Sequence, residues 1–591
     1  MRHYISKLSL PDSTLLILLF FLYYYGLGSY GLLNNNEGLY AEIPREMLES
    51  GQYIIPYLNG VPYIEKPPLL YWLIALVYKI GGVSETTARL IPATAGVTLS
   101  LATYFFARAM GSLVTARLSL LVLLTMGGLI VFSRMVFFDV LLTLFLSASL
   151  FSFFMWYKTH HKVSLRFFYL FLALAVMTKG IVALGLVGLV ILLFLILTGI
   201  FKERLGTFLD FWGILLFLAV VLPWHIMASF QEKEFIHFYF INEHFLRFLG
   251  RRIPKDYYHG PWYYYFPRLF LTVLPWSFTL PLIFKKSSHD KSLLIFLWVW
   301  VLVFFGFFSV SQAKANYYLV TIFPPLSLLF SLKLEVLSEG ESLKKIRQAV
   351  ALFLAIFLPA AGLISFYRVS FLPSKLQPFV AGMPDVFFWI WLGCSVVVIC
   401  VLNFFKHLRF WPESLTAFQM VPFLLISLVM AQQVEPLFSA RKIMQQLPSE
   451  NLPLVLYRDF EKMSSVRFYA KSNIPIVESL SNDLYFGLRT QQGVLLNLSS
   501  EQFQQLLSHQ RAYIIVFHEQ KHNFEKNYPA VHLIHQKGSI YLYKCPKLAL
   551  KTEQSENTSF VVGRNLYDPV SPPSLSVYFG ISGERLFSSI Y

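Results

Sequence analysis

An acid and a base stand side by side at Glu65-Lys66, with Tyr63 just before them and Pro67-Pro68 directly after. The two prolines stiffen the backbone and block helix formation, so the carboxylate and the ammonium are presented rigidly. A carboxylate can take a proton from a hydroxyl nucleophile, and an ammonium can stabilise an anionic leaving group as its bond breaks. The plainer alternative has Lys66 reaching lipid headgroups with Glu65 merely its neighbour. Upstream, the same polar stretch opens with Asn36-Glu37 and Tyr40 and continues through Glu42, Arg45 and Glu46. Positions 40–48 show an apolar side and a charged side at helical spacing, which predicts a helix lying in the membrane interface with its charges solvated.

A second polar stretch reads Asn242-Glu243-His244-Phe245-Leu246-Arg247, then Arg251-Arg252, Lys255, His259 and Tyr263-Tyr264-Tyr265. Cations among aromatic rings suit a phosphate or pyrophosphate, held bidentately by arginine while the rings pack on an isoprenoid or a sugar. Simple headgroup anchoring uses the same residue types. His244 with a carboxylate such as Glu65 is a candidate pair of divalent-metal ligands, although no metal-site spacing is visible.

These stretches are positioned by a membrane scaffold. Of the 591 residues 56% are hydrophobic, 17% aromatic and only 14% charged, far from the composition of a soluble domain. The net charge of +16 does not indicate nucleic acid, because apolar runs long enough to cross a bilayer recur along the chain. Thirteen such runs fall near 13–33, 86–107, 116–132, 135–157, 166–178, 181–200, 209–227, 269–284, 291–309, 317–333, 349–367, 386–405 and 414–431. The first is too long, and lacks the cleavage signal, for a removable signal peptide, and is expected to stay as a helix.

Arg2 and Lys7 before the first run put the N-terminus on the cytoplasmic side. The short basic connections 158–165, 201–208, 285–290 and 334–348 fall on that side too, and the longer 34–85, 228–268 and 368–385 face outward. Charges touching a helix end (Arg89, Arg134, Asp139, Lys179, His225) all lie at the predicted outer end. No charge at mid-membrane and no pair of broken helices is predicted, which argues against a transporter.

After residue 431 the pattern changes. Apolar runs at 452–457, 493–498, 512–517 and 540–543 alternate with polar helical stretches such as 500–508, predicting a small α/β domain over 432–546 on the outer side. Positions 547–591 have no clear period and are expected to form a poorly ordered tail. Cys394 and Cys400 sit in an apolar run and only Cys545 in a polar region, which leaves no disulfide framework. The expected fold is a polytopic α-helical membrane protein of about thirteen transmembrane helices with a C-terminal periplasmic α/β domain.

Several stretches together resemble a known family. They are 36–47, Asn59-Gly60-Val61-Pro62-Tyr63 running into Glu65-Lys66-Pro67-Pro68-Leu69-Leu70-Tyr71-Trp72, Ala88-Arg89-Leu90-Ile91-Pro92-Ala93, Thr178-Lys179-Gly180, Pro223-Trp224, Asn242-Glu243-His244-Phe245, and 311–318 with Pro324-Pro325. They are similar to the bacterial aminoarabinose (4-amino-4-deoxy-L-arabinose) lipid A transferases, which are related to the protein O-mannosyltransferases among membrane glycosyltransferases of the C-type fold. The resemblance implies thirteen transmembrane helices, a polyprenyl-phosphate sugar donor, and transfer to lipid A or another acceptor at the periplasmic face of the bacterial inner membrane. In the family an Asp-Glu pair opens the first outer loop and an arginine shortly precedes the tyrosine. Here Asn36-Glu37 and Leu39 stand at those positions, with Tyr40 kept. A different sugar, another glycan or a protein hydroxyl as acceptor therefore remains open, as does a lipid-linked sugar flippase as a reading of another class.

The expected site comprises Glu37, Glu65 and Lys66 as catalytic groups, and Asn36, Tyr40, Tyr63, Arg247 and Arg251 against the substrate. Glu65 and His244 would hold a divalent metal if one is used. With a hydroxyl acceptor, Glu37 or Glu65 would serve as general base. A lipid A phosphate needs none, and Glu65 would then orient Lys66 or bind metal.

Overall fold

The computed structural model describes residues 17, 20–255, 259–284, 289–337 and 420–547. The expected runs at 349–367 and 386–405, the start of the run at 414–431 (414–419), the loop 368–385, most of the connection 334–348, Cys394, Cys400 and the tail from 548 onward lie outside the described residues.

Six helices are long and apolar enough to cross a membrane: Glu85–Met110, Phe138–Thr159, Phe211–Gln231, Lys291–Val310, Asn316–Val336 and Met420–Phe438. Two further runs are bent pairs, Leu113–Leu124 with Gly127–Ser133 at 60° and Trp262–Thr272 with Trp276–Phe284 at 115°, making eight candidate spans if each pair is one. The expectation of no broken helices is thus corrected. The two breaks meet: Gly127 N–H donates to the Leu274 carbonyl at 2.8 Å, and Trp276 Nε1 donates to Thr125 Oγ1 at 2.9 Å. Away from water a broken helix must find partners for its freed backbone groups, and here each break supplies them to the other. Glycine permits the approach, since a Cβ on Gly128 would lie 2.7 Å from Thr272 Cβ.

The short basic connections gather at one end of the bundle. Lys158 pairs with Asp290 at 2.5 Å, and Arg204 Nη1 lies 2.9 Å from His160 Nδ1. The polar stretches gather at the other end. There the predicted 34–85 loop is largely structured, as a helix Asn36–Ser50, a hairpin of β1 (Tyr57–Leu58) and β2 (Val61–Pro62), and a helix Leu69–Gly81. The last is too short to span. It buries Leu70, Tyr71, Ile74, Ala75 and Tyr78 on one face, the spacing of a helix half-set into a core.

The Asn36–Ser50 helix is not the solvated interfacial helix predicted from its charges. Glu37 to Met47 are all buried. Arg45 pairs with Glu42 at 2.6 Å, and Arg467 of the outer domain reaches Glu42 at 3.1 Å and Glu46 at 3.4 Å. Glu46 also accepts from the backbone of Asn59 and Gly60 at 2.6 and 3.0 Å. Two acids and two arginines therefore clamp this helix to the hairpin and to the outer domain.

The outer domain carries β3 (Leu454–Tyr457), β4 (Ile476–Val477), β5 (Asn497–Leu498), β6 (Ala512–Phe517), β7 (His532–Lys537) and β8 (Ile540–Cys545). They form one sheet ordered β5-β4-β3-β6-β8-β7. The first four strands are parallel, and the β7–β8 hairpin adds antiparallel pairing. Alternate residues of β6 serve two cores. Ile514 and Val516 pack with Phe503, Leu507 and Phe524 of the outer layer, and Tyr513 and Ile515 join the core shared with the membrane part. Burial on both faces explains why this strand reads as an unbroken apolar run. The strand predicted over 493–498 is mostly helix, Gln491–Leu496, because Thr490 caps it by accepting from Gly493 N–H.

Candidate functional site

Between the membrane helices and the outer domain lies a cleft lined from both. Glu65 and Lys66 form one wall, fixed between β2 and the Leu69–Gly81 helix, whose N-terminus is set by Pro68. Tyr63 donates to Glu65 Oε2 at 3.3 Å. Arg247 and Arg252 also line the cleft, directly after Ile236–Leu246, which is wound as a π-helix, a geometry common at functional sites.

Arg252 joins the two segments. Its Nη2 donates to Glu65 Oε1 at 2.6 Å, its Nε to Glu243 Oε1 at 2.5 Å. Arg247 reaches Glu243 Oε2 at 3.2 Å. Lys66 is held more loosely, with its Nζ 3.7 Å from Glu65 Oε2 and 3.6 Å from Glu243 Oε2. Three cations therefore share two carboxylates, and the ammonium has no short bond to either. That arrangement can receive an anion, since a phosphate oxygen can come closer to Lys66 than the carboxylates do.

Across the cleft Lys179 pairs with Asp139 at 2.6 Å and lies over the Tyr318 ring, 4.3 Å from its centroid. Tyr40, Phe137, Phe138 and Tyr317 give the apolar lining, and Glu461, Asn482 and Asp483 reach in from the outer domain. Burial and the nearby Glu243 push the Glu65 carboxyl up to about 7 against the pull of Arg252 and Lys66. Burial would raise Glu243 too, but Arg252, Lys66 and Arg247 outweigh it and hold this carboxyl below its usual range. Arg252 is raised, because Glu65 and Glu243 outweigh its burial.

The expected residues do not all meet. Asn36, Tyr40, Glu65, Lys66 and Arg247 line the cleft, and buried Tyr63 supports Glu65 from behind. Glu37 is a correction: both its oxygens take Arg89, at 2.7 and 2.8 Å, and also the backbone N–H groups of Val136 and Leu33. Saturated in this way, it is a structural partner of Arg89 and no base. Arg251 is a second correction, because it is exposed and its neighbour Arg252 turns inward.

The metal pair is a third. His244 Nδ1 lies 2.6 Å from the Tyr239 carbonyl, its ring is seated against Gly180, where a Cβ would fall 2.2 Å from Nε2, and Glu65 is occupied by cations and Tyr63. Burial lowers the His244 pKa. Among the described residues no group of three or more His, Cys, Asp or Glu side chains could hold a metal ion. These residues do not fit a divalent cation.

Arg252 stood out in the sequence only as one of several cations suited to phosphate, and nothing there marked Asp483, Glu461 or Asn482. Asp139 and Lys179 carried a signal, as charges at outer helix ends, but their pairing across forty positions did not show.

The chain matches the family model for dolichyl-phosphate-mannose-protein mannosyltransferase over residues 13–242. It is 29% identical over 405 residues to the undecaprenyl phosphate-alpha-4-amino-4-deoxy-L-arabinose arabinosyl transferase 1 of Proteus mirabilis, covering 64% of this chain and 71% of that one. It is 30% identical over 378 residues to an uncharacterised protein of Aquifex aeolicus, covering 62% and 72% of the two chains. The fold is that of the crystal structure of ArnT from Cupriavidus metallidurans bound to undecaprenyl phosphate, with a TM-score of 0.78 and 21% identity over 90% of this chain and 97% of that one. A helical membrane fold, a cation-rich cleft under an α/β domain and these relatives agree: the chain is similar to the bacterial aminoarabinose transferases and, over residues 13–242, to the protein mannosyltransferases.

Proposed function

We propose that this protein transfers 4-amino-4-deoxy-L-arabinose from an undecaprenyl-phosphate carrier to lipid A at the periplasmic face of the inner membrane. The observation that carries the reading is the loosely held Lys66 ammonium, 3.6 and 3.7 Å from two carboxylates, in a cleft that also presents Arg247 and aromatic rings. The relatives' names supply the carrier and the sugar. The lipid A acceptor follows from the family.

In the reaction the bond between the sugar's anomeric carbon and the carrier phosphate oxygen breaks, and that oxygen leaves with the bonding electrons. A lipid A phosphate oxygen forms the new bond to the same carbon. The leaving phosphate gains negative charge, which Lys66 and Arg247 stabilise. The acceptor oxygen is already anionic and needs no strong base. Glu65 then acts by orienting Arg252 and Lys66. Thirteen membrane helices, a cytoplasmic N-terminus and a periplasmic outer domain belong to the same reading, supported by the gathering of short basic connections opposite the cleft.

One observation favours a variant sugar or acceptor: Asn36, where the family has an acid, lines the cleft with its Nδ2 3.4 Å from the Tyr317 hydroxyl. A reconstituted assay for release of free undecaprenyl phosphate, with mass spectrometry of lipid A, tests the proposal. Glu65→Gln and Lys66→Ala are each expected to abolish transfer in protein that still reaches the membrane. Full transfer by both variants would sink the site, and an unmodified lipid A in the presence of active enzyme would move the acceptor elsewhere.

A further inference from the structure

The carboxylates in and beside the cleft are not equally matched. Asp139 has Lys179, and Glu65 and Glu243 share Arg252. Asp483 differs. It lines the cleft from the outer domain, and among the described residues its carboxylate makes no hydrogen bond or ion pair, although Arg252 and Lys66 act on it through space. Its position is nonetheless fixed. Glu461 accepts from Ser481 Oγ at 2.5 Å and from the Asp483 backbone N–H at 2.9 Å, and the Glu461 carbonyl takes the Asn35 N–H at 2.8 Å. A rigid turn thus holds an acid over the cleft with a second acid, Glu461, beside it. Burial and Glu461 push the Asp483 carboxyl up to about 7, the mark of an anion short of positive partners.

Donor binding sharpens the imbalance. A carrier phosphate engages Lys66 and Arg247, which leaves the outer-domain acids facing a more negative cleft. A sugar carrying a primary amine brings a cation of its own, a few bonds from that phosphate. We propose that Asp483 is the counter-ion for the ammonium group of the transferred amino sugar, so that the outer domain reads the sugar while the membrane part holds the carrier. This rests on the aminoarabinose reading above and names the group that makes that sugar the preferred one.

The test uses the full-length purified enzyme and two polyprenyl-phosphate donors, one with the free amine and one with that amine acylated and so uncharged. KM is measured for the first and Ki for the second as a competitor. The wild-type protein is expected to favour the amine donor. Asp483→Asn should shrink the ratio of the two constants by about ten- to a hundredfold, the loss expected of a hydrogen bond to a charged group, and Asp483→Glu should restore most of it. An unchanged ratio, or weakening of both donors alike, overturns the assignment of Asp483. Wild-type enzyme that discriminates between the donors, with an unaltered ratio in the variant, would leave the transferase standing without this residue. Wild-type enzyme that releases no carrier phosphate from the amine donor would overturn the transferase and the inference together.

Discussion

Two buried acid–base groups at the same end of the molecule are built to opposite plans. Around Glu37 every strong contact is filled. Arg89 gives Nε and Nη2 to the carboxylate and reaches the carbonyls of Leu27, Tyr30 and Gly31 at 2.7 to 2.9 Å. Around Glu65 and Lys66 the carboxylates are taken by Arg252, and the lysine stands off at 3.6 and 3.7 Å. The first group joins the turn after the first helix to the Glu85–Met110 helix. The second opens on a cleft. Buried charge alone therefore does not mark a site; unsatisfied capacity facing a cavity does.

That contrast can be broken at the closed group first. Glu37→Gln leaves the Arg89 guanidinium buried beside a neutral amide, and loss of one partner of such a pair costs about 3–5 kcal/mol. Folded protein in the membrane should fall sharply, as read by detergent-extracted monodisperse yield; normal yield with lost transfer would return Glu37 to the catalytic list. The next largest effect separates neighbours. Arg252→Ala removes the link between Glu65 and Glu243 and should lower kcat/KM by at least about tenfold, as expected for a charge-assisted hydrogen-bond pair. Exposed Arg251→Ala should stay within about twofold. Equal losses would mean that the turn after 247 does not orient the two arginines as found.

The smallest effect is in pH. With the Glu65 carboxyl at about 7, its charged form is lost as pH falls through that value, and Arg252 and Lys66 lose the anion that orients them. The sign follows: kcat/KM should rise with pH through about 7 and then level. A profile flat from pH 6 to 8 would show that Glu65 does not titrate in the working enzyme.

How much of this was legible beforehand depended on the separation of the partners. Glu65 and Lys66 could be picked out because they are adjacent, framed by Tyr63 and two prolines. Glu37 looked the same, an acid in an outer loop, because Arg89 lies 52 positions on and nothing local records their meeting. Arg251 and Arg252 are identical in type, and only backbone geometry decides which turns inward. Asp483 stands in a polar stretch with no pattern, and it becomes meaningful only once the parallel sheet sets its turn over the cleft. The same holds for the fold. β6 was plain, as an apolar run buried on both faces, whereas β7, an edge strand with His532 and Leu533 largely exposed, has no such run. The two helix breaks vanish in any average of apolarity over a membrane-length window, because Thr125 and Pro275 interrupt otherwise apolar stretches.

In the proposed transferase Lys66 is held open for a lipid phosphate. The most direct measurement is the affinity of undecaprenyl phosphate for purified wild-type protein and for Lys66→Ala, with the thermal unfolding midpoint of both followed in parallel. Binding should weaken about ten- to a hundredfold, as for loss of one charge-assisted contact to phosphate, with the midpoint little changed, since the ammonium donates only to the Glu65 carbonyl, at 3.3 Å, and stands off from both carboxylates. Unchanged affinity with a lowered midpoint would show that Lys66 is a structural charge like Arg89 and holds no phosphate.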